Sequence, residues 1–338
     1  MTGFAVERTA TAIRVGARPP RPERTALVEA RGALLFWDVL DRHAHPAAEI
    51  FDARAADWLW EVYGPDTAAA ILGDAESVAT EWESPVLDAA RDLAHLHWAG
   101  AWWPGSHAAA VPALPGGLLR AETAWRTAAL DHLLDDEDAV ERALAGLDLG
   151  DLPVLGTDPA LAESVATLQE RLTDLAETFG VELHANVRTR PEDWALAAGG
   201  EAPDLAVASG SDPIDWALVP HGLLDAAGEA TWQFGQRSGA WVITVTAPAA
   251  PGAEPVPLIG LFDTVEIPLH LDRGAGAFTG EAPAPPDFAM RLRGQVRVYA
   301  PRFAVPGDSP DEDREAIIAF ARDRLSAPDA TLTERAAA

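Results

Sequence analysis

Residues 161–188 read Leu-Ala-Glu-Ser-Val-Ala-Thr-Leu-Gln-Glu-Arg-Leu-Thr-Asp-Leu-Ala-Glu-Thr-Phe-Gly-Val-Glu-Leu-His-Ala-Asn-Val-Arg. Leu161, Val165, Leu168, Leu172, Leu175 and Phe179 recur at alternating steps of four and three, which places them on one helical face. Gly180 supplies a stop signal. From Val181 apolar and polar residues alternate, the period of a half-buried strand. This switch predicts an α+β chain. Residues 1–180 are expected to form a mainly helical domain with short N-terminal strands. Residues 181–338 are expected to form a β-rich antiparallel sandwich or open barrel.

Upstream, 11–17 and 26–37 read as strands around Pro19-Pro20-Arg21-Pro22. Phe51, Ala55, Trp58 and Val62 fit one helix face. Ser84-Pro85 caps a further helix, apolar on most sides, that runs to about Trp103 and marks a buried element. Residues 118–134 and 137–146 resume helix. Downstream, 230–236, 240–247, 257–262, 264–272 and 288–300 read as strands, with Arg237-Ser238-Gly239 as a hairpin turn. Ser309-Pro310-Asp311-Glu312 forms a capping box for a closing helix at 310–325, and the tail after Pro328 is expected to fray.

Composition excludes several chemistries. The 338 residues include no cysteine, which removes thiolate metal sites, cysteine nucleophiles and disulfides. The 53 acidic residues outnumber the 25 basic ones, all arginine, for a net charge of −28. Such a charge opposes binding to phosphate backbones, so no nucleic-acid partner is expected. Neither a secretory leader nor an apolar run of membrane-spanning length is visible, and a cytoplasmic protein without membrane association is expected.

Five groups of residues offer chemistry. His43 and His45, with Glu49 or Asp41 nearby, make a nitrogen–oxygen metal set if the backbone is extended, which Pro46 favours at His45. The simpler reading is a polar turn. His95 and His97 lie two apart on a helix and point about 200° apart, so they do not chelate jointly. His97 reads instead as an interior residue near Trp98. Arg273–Gly280 looks like a phosphate loop, but prolines rather than a helix follow it, so a hairpin or Ω loop is the simpler reading. Ser106 and Ser211 sit in ordinary glycine-flanked turns. On 288–300, Arg291, Arg293, Gln295, Arg297 and Tyr299 alternate with Met290, Leu292, Val296 and Val298. This places a row of guanidiniums on one strand face, either in cross-strand ion pairs or open to an acidic or phosphorylated protein segment.

Twelve tryptophans are also present. Core filling among the alanines is the plainer reading, and Trp60, two residues from Trp58, is the aromatic expected to face outward. From these features the leading expectation is a cofactor-free accessory or adaptor protein binding a protein partner through Arg291, Arg293, Arg297 and Tyr299, with the 161–179 seam as a possible homodimer contact. A hydrolase using a metal at His43, His45 and Glu49, and a glycan or small-ligand binder using Trp60, are the alternatives.

Overall fold

The computed structural model describes residues 2–41, 45–152, 159–183, 205–237, 240–284, 294–303 and 313–338. Two compact units result. The first combines residues 1–102, 114–189 and 324–338, and the second combines 103–113 and 190–323.

The mainly helical N-terminal domain is overturned, because the chain opens with strands. In the first unit β1 (Thr2–Arg8), β2 (Ile13–Val15), β3 (Thr25–Ala30), β4 (Ala33–Asp38), β5 (Ala47–Ile50) and β6 (Ser77–Thr80) form one antiparallel sheet in the order β3-β4-β5-β2-β1-β6. The run 26–37, expected as one strand, is a hairpin of two. It turns at Gly32, whose φ of 71° suits glycine and where an added Cβ would collide with the Asp52 carbonyl.

The helix expected from Phe51 is also corrected. Phe51 is exposed, and helix begins only with α1 (Leu59–Tyr63). Local bonding explains the difference. Gly32 O accepts the N–H groups of Phe51 and Asp52, and the Asp52 carboxylate accepts those of Arg54 and Ala55, so the backbone is committed to a turn.

Against the sheet lie α2 (Pro65–Leu72) and α3 (Pro85–Trp102); α4 (Gly116–Ala129) packs on α3, and α5 (Ala139–Ala145) and α6 (Pro159–Phe179) pack on α4 and on each other. Ser84 Oγ accepts the Leu87 N–H at 3.0 Å and Pro85 is the first residue of α3, as the sequence predicts. Leu161, Val165, Leu168 and Leu172 of α6 pack with Leu118, Ala121, Val140 and Leu144 of α4 and α5, so this seam is filled within its own unit.

In the second unit β7 (Leu205–Pro213), β8 (Glu229–Arg237), β9 (Ala240–Pro248), β10 (Leu258–Phe262), β11 (Val265–Asp272), β12 (Ala277–Pro283) and β13 (Val296–Tyr299) form a single antiparallel sheet, ordered β13-β10-β11-β12-β9-β8-β7. The sheet curls into a nearly closed barrel rather than a two-layer sandwich. Its edges approach where the Asp212 carboxylate of β7 accepts the Val296 N–H of β13 at 2.8 Å. Trp232, Phe234, Ile243, Phe262, Leu269 and Phe278 fill the interior. The glycine-rich stretch 273–280 is the β11–β12 hairpin, with the Asp272 carboxylate accepting the N–H groups of Gly274 and Ala275.

The closing helix is α7 (Arg314–Arg324), while the capping box proposed at 309–312 lies outside the described residues. The tail does not fray. Thr331 and Glu334 form a reciprocal capping box on α8 (Leu332–Ala337), whose first three residues are buried. Among the described residues no helix is long and apolar enough to cross a membrane.

Candidate functional site

The first unit contains a cavity of about 950 Å³, within the range of small-molecule sites. Its position follows from the local structure. Leu27 and Phe36 are cross-strand partners on β3 and β4 and present one apolar face, and Glu29 follows Leu27 on that face, about 6.6–7 Å further along the strand. Helix α3 contributes Leu93, His97, Trp98, Ala101 and Trp102, five residues within three turns. The turn Pro19-Pro20-Arg21-Pro22 completes the lining with α4 and the stretch 134–143.

His97 defines the polar chemistry of this space. Its Nδ1 lies 3.2 Å from the Leu27 carbonyl oxygen, which only accepts hydrogen bonds. Nδ1 therefore carries the proton, and Nε2 presents a lone pair. Burial pulls the imidazole below its ordinary value of 6.5, opposed by the Leu27 bond and by the charge of Glu29. His97 is exposed and lines the cavity.

Several neighbouring donors are already committed. Trp98 Nε1 donates to Glu23 O at 2.8 Å. The hydroxyls of Thr25, Thr123 and Thr127 donate to the carbonyls of Arg21, Leu119 and Thr123 at 2.7, 2.8 and 2.8 Å. Prolines 19, 20 and 22 have no N–H. The three guanidiniums of the lining all face carboxylates: Arg18 lies 3.6 Å from Glu49, Arg21 lies 3.1 Å from Glu23, and Arg142 pairs with Asp136. Arg18 also lies over the Phe36 ring at 4.4 Å. Among the described residues, the Glu29 carboxylate has no ion-pair partner and the Trp102 indole N–H has no acceptor.

No family model, curated protein or solved structure matches this chain.

The residues singled out from sequence are scattered. His43, Arg291 and Arg293 lie outside the described residues. His45 is buried, donates Nε2–H to Trp82 O at 2.8 Å, and keeps an unpartnered Nδ1. Glu49 accepts from Arg14 at 3.3 Å and faces Arg18, so its carboxylate already serves two cations. No group of three metal-ligating side chains occurs among the described residues. Arg297 is exposed on β13, but Tyr299 is buried and its hydroxyl donates to Glu266 at 2.9 Å, so the tyrosine is not open to a partner. Trp60 faces outward, 51% exposed, and is not among the cavity residues.

Two buried carboxylate clusters were not anticipated. In the second unit Asp225, 3% exposed, accepts from Ser106 Oγ at 2.6 Å and from the N–H groups of His107, Ala108 and Ala227 at 2.7, 3.3 and 3.0 Å. These bonds bind the 103–113 segment to its barrel. In the first unit Glu334 accepts from His95 Nε2 at 2.8 Å and from Arg324 at 3.0 and 2.7 Å. Glu122 accepts the N–H groups of Leu332 and Thr333 at the start of α8, at 2.8 and 2.6 Å. Each set is satisfied internally and has the character of an anchor rather than a reactive centre. The Thr331-x-x-Glu334 spacing was the readable sign of the α8 cluster.

Proposed function

We propose that this protein binds a small organic ligand in the cavity beside His97. The carrying observation is a cavity of about 950 Å³ with the His97 imidazole exposed on its wall, Nδ1 held by the Leu27 carbonyl, and half-buried Trp102 beside it. A large, preformed, mostly apolar cavity with few oriented polar groups is the general form of a small-molecule site. This reading places the aromatic contact at half-buried Trp102 rather than at Trp60. It leaves Arg297 of β13 aside, because its neighbour on that face, Tyr299, is bonded to Glu266 within the sheet.

The test uses the neutral fluorophore N-phenyl-1-naphthylamine. Saturable binding at one equivalent is expected. It should weaken at least tenfold in Ala101→Trp, which fills the cavity from an exposed position of α3. Absence of binding, or equal binding by an Ala101→Trp variant with unchanged circular dichroism, overturns the reading.

A further inference from the structure

Resting on the cavity reading, we propose that Trp102 determines ligand specificity, its indole N–H donating to the carbonyl oxygen of an uncharged aromatic guest. The uncharged side-chain donors of the lining that are buried or half-buried are Thr25, Thr123, Thr127, Trp98 and Trp102. The first four donate to the main-chain carbonyls of Arg21, Leu119, Thr123 and Glu23. Trp102, the last residue of α3, has no acceptor among the described residues. Its Nε1 is not one of the enclosed polar atoms that lack a partner, so a guest can reach it. An indole nitrogen only donates. Whatever completes Trp102 must therefore bring an acceptor.

Burial explains why the guest is uncharged. Arg18, Glu29, Asp136 and Arg142 are all exposed, and half-buried Arg21 lies 3.1 Å from Glu23. The lining thus holds charges of both signs mostly where water screens them, so a charged guest of either sign gains little. The apolar wall is less exposed: Leu27, Ala139 and Ala143 are half-buried, and Leu93 and Leu134 are buried. An aromatic body fits against this wall and the Trp102 ring. A carbonyl that enters an apolar space loses its hydrogen bonds to water, which on its own makes a hydrocarbon the better guest. The Trp102 N–H replaces the lost bond, while a hydrocarbon of the same shape leaves that donor without an acceptor. Recognition by Trp102 therefore reverses the order of preference that an apolar cavity alone would show.

2-Acetylnaphthalene and 2-isopropylnaphthalene provide the comparison, because they share the ring and the size of its substituent and differ in the carbonyl oxygen. Each is titrated against N-phenyl-1-naphthylamine bound to the full chain at pH 7. The ketone is expected to bind about fivefold tighter than the hydrocarbon, the worth of one hydrogen bond. Trp102→Phe keeps an aromatic ring and removes the N–H. In that variant the fluorophore should still bind, and the preference for the ketone should vanish or invert. Equal or tighter binding of the hydrocarbon to the wild-type chain overturns the assignment, and this comparison needs no variant. A ketone preference that survives in a folded Trp102→Phe variant overturns it as well. If the fluorophore binds but neither naphthalene displaces it, the ligand class fails and the cavity reading stands. If the fluorophore does not bind, both fail.

Discussion

Glu334→Gln removes one charge from a side chain that is 1% exposed and leaves its volume nearly unchanged. In the folded protein the Glu334 carboxyl is held at about 2, although burial alone would raise it from its ordinary 4.5; the hydrogen bonds from His95 and Arg324 and their charges outweigh that burial. A depressed carboxyl contributes stability above its unfolded value, and the contribution is lost as pH falls through the folded value. The window here runs from about 4.5 down to about 2, and the contribution at neutral pH is about 3 kcal/mol. Breaking a buried ion pair by removing one partner costs about 3–5 kcal/mol, in agreement. Urea unfolding followed by far-UV circular dichroism at pH 7 and near pH 2.5 measures the difference. At pH 7 the variant is expected to be about 3 kcal/mol less stable, and near pH 2.5 the difference should shrink to about 1 kcal/mol. A loss under 1 kcal/mol at pH 7, or an equal loss at both values, would refute the reasoning.

Three further outcomes follow from the same geometry. Thr331→Ala deletes the hydroxyl that accepts the Glu334 N–H and should cost about 1 kcal/mol; hydrogen exchange of the α8 amides should speed up while the α4 amides stay protected. Asp225→Ala leaves the hydroxyl of Ser106 and the N–H groups of His107 and Ala108 without their acceptor, at a cost of about 1–3 kcal/mol for each one left buried and unsatisfied; faster amide exchange at 106–109 would report it, and unchanged exchange would contradict it. Burial lowers His45 below its ordinary 6.5, so the unfolded chain takes up this proton at higher pH than the folded one does. The resulting stability is present above about 6.5 and fades as pH falls. His45→Gln should therefore flatten the stability profile below about pH 6.5, and an unaltered slope would argue against it.

Local signals predicted local structure well. Ser84-Pro85 marks the start of α3, and the 4–3 spacing of Leu161 to Leu172 marks the buried face of α6. Alternation along 240–247 and 264–272 corresponds to β9 and β11. The first sheet was less visible because β2 and β5 are three and four residues long, too short for a period to register. Gly32 hides a hairpin inside one apolar run, and Asp52 turns a stretch whose spacing imitates a helix. Phe51 is the cost of that imitation, read as a buried anchor and found exposed.

The candidate site was harder to read because its parts are distant in sequence. His97 was expected as an interior residue near Trp98, but it is exposed at the cavity wall, and its hydrogen bond runs to Leu27, 70 positions earlier. Glu122 meets Thr333 across 211 positions, and Ser106 meets Asp225 across 119. No window of sequence contains either pair. The prolines of the 19–22 turn gave a turn signal without revealing that the turn lines the cavity.

The state of the His97 ring can be observed through the ¹⁵N resonances of its imidazole, assigned by comparison with His97→Gln. At pH 7 the account predicts a neutral ring with the proton on Nδ1 and an unprotonated Nε2, whose resonance moves on saturation with N-phenyl-1-naphthylamine. A protonated Nε2 in the free protein, or an Nε2 resonance that stays fixed while the fluorophore binds, would contradict it.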